Sequence, residues 1–345
     1  MTTLHFTKGH GTENDFILLD DRHNTLNLDA SLVRALADRR AGIGGDGVIR
    51  VVKSADIPEG DHVLALEPQA QWFMDYRNAD GSIAQMCGNG VRVFAAFLEQ
   101  LSLVTFTPGA RVPIGTRAGV RTVEKIGDWF QVGMGEYTLT GDPDQIAVGA
   151  DSIVELVGLN SAGHGGAEQN AGNSDSGESS VGKASTLHAT RPALSIDMGN
   201  PHTVVAVQQL DELAALDLTH APHVQPVPPQ GTNVEIVVPL GTSHDEAGQP
   251  LGKLAMRVHE RGVGETRSCG TGACAAALAV RHWMTLAQEG SASIADSIVN
   301  IPDAWLVQVP GGTVKVEVRD RTVYLSGPAV LLAQGEVELE ALVGK

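Results

Sequence analysis

One feature limits what this chain can fold into more than any other. A Cys-Gly-x-Gly element occurs twice, and each copy runs straight into an apolar helical stretch. Cys87-Gly-Asn-Gly90 leads into GVRVFAAFLEQL (90–101), and Cys269-Gly-Thr-Gly272 leads into an Ala-rich run over 272–286. A strand pattern and then a turn precede each copy. A single such tetrapeptide is a weak signal. Two copies 182 residues apart in the same strand–turn–helix setting imply two halves related by pseudo-symmetry. A length of 345 residues fits, because units of roughly 150 residues can each bury a core.

The rest of the chain reads as short strands separated by turns. In the first third, strands are expected over 3–6, 16–20, 48–52 and 71–76, with two more inside 116–133 broken at Gly127-Asp128. Asp29 is placed to cap a helix over 31–39 that carries Leu32, Val33 and Leu36 on one face. The second half repeats this grammar. Strands are expected at 194–198, 203–207, 234–238 and 254–260, a short helix at 211–218, a hairpin about Pro310-Gly-Gly312, and a strand at 322–326. Residues 160–185 hold six glycines, six serines and one valine, too little apolar surface to offset ordering, so a disordered insertion is expected there. The four prolines between Ala221 and Gly231 predict an extended connection.

Composition removes several function classes. Lys plus Arg is 24 against 41 Asp plus Glu, a net charge of −17, which argues against nucleic acid and against an acidic membrane surface. No apolar run reaches the roughly 18 residues of a membrane-spanning helix, and the first residues lack the core of a signal peptide. Three cysteines, Cys87, Cys269 and Cys274, are too few for a disulfide scaffold, so a cytoplasmic, reducing location is expected. No CxxC or HExxH spacing supplies a metal site. Gly42-Ile-Gly-Gly-Asp-Gly47 satisfies GxGxxG, but it follows a helix and enters a strand, the reverse of the dinucleotide fingerprint.

A cysteine at a helix start has a chemical use. The first backbone N–H groups of a helix lack partners and carry partial positive charge, which favours a thiolate and can hold a carboxylate. The glycines let the backbone approach a ligand closely. Two such elements facing one another place a thiol on either side of a bound carboxylate. That arrangement suits removal of an α-proton on one face and return of a proton on the other, with one cysteine as thiolate and the other as thiol. Cys274 lies five residues into the second helix, about 140° around from Cys269, and is expected to be a core residue.

With these residues in view, the chain resembles the diaminopimelate epimerase family. The matching segments are Phe6-Thr-Lys-Gly-His-Gly-Thr-Glu-Asn-Asp-Phe16, Arg40-Ala-Gly-Ile-Gly-Gly-Asp-Gly47, Tyr76-Arg-Asn-Ala-Asp-Gly-Ser82 and Met86-Cys-Gly-Asn-Gly-Val-Arg92. They continue with Met198-Gly-Asn-Pro-His202, Gly231-Thr-Asn-Val-Glu235 and the run from Val258 to Cys274. The resemblance implies an α+β fold of two pseudo-symmetric domains, each a curved mixed sheet wrapped around its apolar helix, with the active site between them. It implies a first domain of residues 1–131 joined by a C-terminal strand at about 330–345, and a second of 132–329. It implies a cofactor-independent isomerase that interconverts LL- and meso-diaminopimelate for lysine and peptidoglycan precursors, with closure of the domains over the substrate and a homodimeric assembly.

By the same resemblance Cys87 and Cys269 are the acid–base pair, and backbone N–H groups around Gly88, Asn89, Gly270 and Thr271 hold the α-carboxylate. Asn14, Asn78, Asn200, Asn233, Glu260 and Arg261 hold the distal amino acid end, which needs a cation for its carboxylate and acceptors for its ammonium. His202 and Glu260 adjust the thiols. Two departures stand out. The first segment commonly reads KMHGLGNDF in the family, whereas Thr12-Glu13 stand here, and Gly47 replaces a polar residue. Two other readings fit the paired cysteines: a proline racemase or hydroxyproline epimerase, and a regulatory dithiol in a binding protein.

Overall fold

Short runs of β-branched and aromatic residues, punctuated by glycine and aspartate, give a chain made mostly of strands. The computed structural model describes residues 3–159, 186–289 and 300–343, so the insertion expected at 160–185 lies outside the described residues. The first repeat comprises β1 (Thr3–Gly11), β2 (Asn14–Asp20), α1 (Ala30–Ala37), β3 (Gly47–Lys53), α2 (Pro58–Leu66), β4 (Trp72–Asn78), α3 (Gly88–Gln100), β5 (Arg111–Thr116), β6 (Gly119–Ile126) and β7 (Trp129–Glu136). Next come β8 (Thr138–Leu139), α4 (Pro143–Ile146) and β9 (Ser152–Leu159). The second repeat comprises β10 (Thr186–Asp197), β11 (Pro201–Ala206), α5 (Leu210–Ala214), β12 (His223–Gln225), β13 (Asn233–His244), β14 (Pro250–Glu260), β15 (Gly264–Thr266), α6 (Gly270–Glu289), β16 (Ala304–Val309), β17 (Gly312–Arg319) and β18 (Thr322–Gly327). The described chain ends with β19 (Val330–Glu338) and α7 (Leu339–Val343).

Strand pairing makes the repeat explicit. β1 to β7 lie side by side, and their successive joins are antiparallel, parallel, antiparallel, parallel, antiparallel and antiparallel. The series β10, β11, β13, β14, β16, β17, β18 reproduces those directions join for join. The two seventh strands, β7 and β18, pair antiparallel with each other, so the sheets of the halves are joined edge to edge. The chain after each seventh strand crosses to the opposite repeat. β8 and β9 cover β10, and β19 covers β1.

Each sheet wraps its apolar helix. α3 buries Val91, Val93, Phe94, Phe97 and Leu98, and packs on β1, β2, β3, β6, β7 and β19. α6 buries a run from Ala273 to Val280 and packs on the corresponding strands of its own repeat. Helices apolar on nearly every side can exist only in such a sleeve. Asp29 caps α1 as expected, accepting from the Ser31 and Leu32 amides, and Leu32, Val33 and Leu36 are buried. α1 and α5 end earlier than the sequence suggests, at Ala37 and Ala214. The proline-rich connection contributes one three-residue strand, β12.

Candidate active site

Both helices begin in the same way. Cys87 is the N-cap of α3 with extended backbone (φ −141°, ψ 122°), and its Sγ accepts the Gly90 amide at 3.4 Å. The Gly272 amide donates to Cys269 Sγ at the same 3.4 Å. The two starts converge on Leu325, which pairs with Val132 where β18 meets β7. A Cβ at Gly88 would sit 3.0 Å from Leu325 Cδ2, and one at Gly270 would sit 2.9 Å from the same atom. A side chain at either position would therefore have to push the Leu325 tip aside. Asn89, also fully buried, ties them together: its Nδ2 donates to the Ser268 carbonyl at 3.1 Å. Cys274 is fully buried in the core, and burial pushes its thiol up to about 12.

The expected binding residues collect at one end of each sheet, because the two registers match. Phe16 pairs with Gly47, and Gly47 with Asn78. His202 pairs with Asn233, and the Val234–His259 pair puts Asn233 beside Glu260. Asn78 precedes Cys87 by nine residues, as Glu260 precedes Cys269. The sequence groups these residues by type; the strand register groups them in space.

Their hydrogen bonds define the walls. Asn14 donates from Nδ2 to Asp46 at 2.7 Å, which leaves its Oδ1 facing Cys87 Sγ at 3.5 Å and Asn89 Nδ2 at 3.3 Å. His202 is fully buried between Glu235 Oε1, 2.7 Å from Nδ1, and Asn200 Oδ1, 3.1 Å from Nε2. Asn233 donates to the Pro201 carbonyl at 3.1 Å and accepts the Arg261 amide at 2.9 Å. Glu260 accepts from the Thr266 hydroxyl, and the Thr271 hydroxyl lies 3.5 Å from Cys269 Sγ. Asn78 turns to Ser82 Oγ at 3.0 Å, and the exposed Arg261 donates to the Gln230 carbonyl at 2.7 Å.

Sequence reading missed two members of this set. Asp46 orients Asn14 and sits inside the glycine run set aside as a nucleotide motif. Glu235 is fully buried in the middle of an apolar strand, where a charged residue is itself a signal. The two departures from the family pattern also have local causes. Thr12 (φ 50°) and Glu13 (φ 62°) form a tight turn with both residues left-handed, closed by the Gly11–Asn14 pair. That conformation disfavours a β-branched residue, and partners from the second repeat hold it: Thr12 Oγ1 lies 2.6 Å from Ser268 Oγ, and Glu13 pairs with Arg267. At Gly47 a Cβ would stand 2.5 Å from the Arg77 carbonyl and 2.6 Å from the Tyr76 ring, so no side chain fits there.

Electrostatics overturn one expectation. Burial pushes the Cys87 thiol up to about 11, against the pull of the Gly90 amide, and Glu260 adds to the rise. Cys269 is pushed well above the usual thiol range, first by burial and then by the charges of Glu260 and Glu235. A helix start was expected to lower both thiols. Desolvation outweighs the helix end here, because Cys269 is buried and Cys87 is half-buried. Glu260 is itself raised, chiefly by burial.

Solved structures with the same architecture define the class. A phenazine biosynthesis protein of the PhzF family from Bacillus anthracis superposes with a TM-score of 0.55 at 15% identity, covering 98% of this chain and 100% of that one. A hydroxyproline epimerase from Agrobacterium vitis superposes at 0.51 and 11% identity, covering 97% and 92%. At such identities the likeness is one of fold: two pseudo-symmetric α+β repeats, each around one helix. Within that class, the chain belongs to the diaminopimelate epimerase family. The model of that family, described as diaminopimelate epimerase, matches residues 6–140 and 194–332. The diaminopimelate epimerase of Streptomyces coelicolor is 41% identical over 348 residues, 99% of this chain and 98% of that protein. The one from Corynebacterium glutamicum strain R is 42% identical over 340 residues, 98% and 99%. Among the described residues, no helix is long and apolar enough to cross a membrane.

Proposed function

We propose that the protein is a cofactor-independent epimerase that interconverts LL- and meso-diaminopimelate, a step in making lysine and peptidoglycan precursors. The observation that carries this reading is the mirrored pair of thiols, Cys87 and Cys269, at two converging helix starts in a chain of this family. Backbone N–H groups of Gly88, Asn89, Gly270 and Thr271 bind the α-carboxylate. One cysteine as thiolate takes the α-proton; the other as thiol delivers a proton to the opposite face. The pair leaves turnover with its protonation exchanged and no net proton consumed. Charge that develops on the carboxylate in the transition state is met by the oriented N–H groups.

Asn14, Asn78, Asn200, Asn233, Glu260 and Arg261 hold the distal end, and His202 with Glu260 adjusts the thiols. The division into residues 1–131 with about 330–345, and 132–329, is part of this reading. So are a cytoplasmic location, where the thiols stay reduced, and a homodimer. Among the described residues β19 pairs with β1 alone, and its other edge is the surface assigned to a second copy.

Incubation with LL-diaminopimelate in D2O under reducing conditions, followed by NMR, tests the activity. Deuterium should enter the α-position and meso isomer should accumulate. Exchange into proline alone would sink the substrate assignment, and no exchange into any amino acid would sink the enzyme reading.

A further inference from the structure

The repeat lets the two thiol environments be compared position by position. Phe16 corresponds to His202, since each pairs with the first residue of the neighbouring parallel strand, Gly47 or Asn233. Two residues on, Ile49 corresponds to Glu235. Side-chain contacts agree: a Cβ at Gly90 would meet Ile49 Cδ1 at 3.2 Å, and one at Gly272 would meet Glu235 Oε1 at 2.6 Å. Five residues beyond each cysteine, Arg92 corresponds to Cys274. Thus Cys87 has an apolar wall, with a buried cation bonded to the neighbouring Gly88 carbonyl at 3.4 Å, whereas Cys269 has a buried His–Glu pair.

Both charged groups lack a full set of partners. The Arg92 guanidinium is fully buried, and its hydrogen bonds go to neutral acceptors at 3.4 Å: the carbonyls of Gly88 and Pro328 and the Thr12 hydroxyl. Among the described residues no carboxylate pairs with it. The acidic groups whose charge reaches it are the thiols of Cys87 and Cys274. A buried guanidinium with no anion is costly unless one forms beside it. Glu235 is equally buried, and among the described residues its Oε2 has no hydrogen-bond partner.

We propose that Arg92 and Glu235 are positioning residues that make the two thiols unequal: Arg92 is the fixed counter-charge of a Cys87 thiolate, and Glu235 holds Cys269 as thiol. Cys87 therefore gives up its proton first, to solvent, and is the base for the isomer whose α-proton faces it. The inference deepens the epimerase reading and rests on it. The groups facing Cys87 are the Asn89 and Gly90 amides, Asn14, Arg92, Glu260 and the Tyr76 hydroxyl. Those facing Cys269 are the Gly272 amide, the Thr271 hydroxyl, Glu235 and Glu260. Glu260 acts on both, so Arg92 and Glu235 carry the difference.

The test is the pH dependence of iodoacetamide alkylation at each thiol, read by peptide mass spectrometry on the full-length protein without substrate. In the wild type, Cys87 should titrate at lower pH than Cys269. Arg92→Met should slow Cys87 alkylation about tenfold at a fixed pH below its pKa, a shift of about one unit, and Arg92→Lys should restore most of it. Glu235→Gln should speed Cys269 alkylation about tenfold and leave Cys87 unmoved. Cys269 titrating first in the wild type, or Glu235→Gln moving neither thiol, would overturn the proposal even if Arg92→Met does not fold. A purely structural role would lower thermal stability and leave both titrations in place. The titrations need no substrate, so a protein that fails to exchange α-deuterium refutes the epimerase reading separately.

Discussion

Gly90 and Gly272 occupy the same place in the repeated motif, yet replacing each with alanine should give opposite results. At Gly90 the new methyl would lie 3.2 Å from Ile49 Cδ1 and 3.4 Å from Cys87 Cβ, and the tip of an isoleucine can give by a few tenths of an ångström. At Gly272 it would lie 2.6 Å from Glu235 Oε1 and 3.2 Å from Cys269 Sγ. That carboxylate cannot withdraw freely, because it is fully buried and its Oε1 is 2.7 Å from His202 Nδ1. Losing a hydrogen bond to a charged group costs about 1.5–3 kcal/mol. Alanine in a helix returns at most about 1 kcal/mol over glycine. Gly272→Ala should therefore destabilise by about 0.5–2 kcal/mol, and Gly90→Ala should stay near neutral. The rate should separate them further, since a reacting group displaced by about 1 Å can lose about a hundredfold. Urea unfolding midpoints and initial α-deuteration rates for both variants supply the check. If Gly272→Ala matches Gly90→Ala in both, the close packing of Glu235 against the α6 start plays no part in function.

Three further outcomes are expected. Cys87→Ala and Cys269→Ala should each abolish epimerisation, while Cys274→Ala keeps the rate within about threefold and loses about 1 kcal/mol of stability from its small cavity; a dead Cys274→Ala enzyme would contradict its core placement. Both thiols proposed to react are raised, so their thiolate fraction at neutral pH is small and kcat/KM should climb by up to about tenfold per pH unit from pH 6 to 8; a flat profile over that range would refute the raised thiols. Asp75 is fully buried among Arg50, Arg77 and Arg117, and although burial pushes its carboxyl up, those guanidinium groups hold it below the usual range. Its contribution is therefore present above the unfolded value of about 3.9 and fades as pH falls through the depressed folded value. Asp75→Asn should cost about 3 kcal/mol at pH 7, measured by chemical denaturation: Arg50 keeps Asp21 and Arg117 keeps Glu59, but Arg77 loses its carboxylate partner.

The chain announces its fold wherever local pattern and tertiary structure agree. Both apolar helices, the Asp29 cap and the Pro310-Gly-Gly312 hairpin follow from spacing and turn chemistry alone. α2 does not, because only Gly60 and Val63 of its nine residues are buried and Leu66 is exposed, so it shows no helical periodicity. β5 carries Pro113 within the strand and reads as a break. The cysteine pair was legible because it is repeated. The direction of its thiol shifts was not, because desolvation depends on what the fold places above the helix ends. Asp46 and Glu235 escaped notice for a related reason. Each acts through a neighbour, Asn14 or His202, which only the strand register reveals.

The comparison of the halves explains where the duplication was kept and where it diverged. The helix starts are nearly identical down to the 3.4 Å amide contacts on each sulfur. The proposed acid–base chemistry at one carbon needs that likeness, since each thiol would serve as base in one direction and as acid in the other. The walls around the thiols differ, because the substrate proposed here is mirrored only at its reacting carbon. One repeat supplies Asn14, Asn78 and the apolar Phe16 and Ile49; the other supplies His202, Asn233, Glu235, Glu260 and Arg261. The charged wall can bind a distal ammonium and carboxylate, but it also loads negative charge onto Cys269. Arg92, at the position occupied by Cys274 in the other repeat, is bonded at the start of the Cys87 helix through the Gly88 carbonyl. Divergence for distal recognition thus has an electrostatic consequence at the reacting carbon, and the two thiols cannot ionise alike.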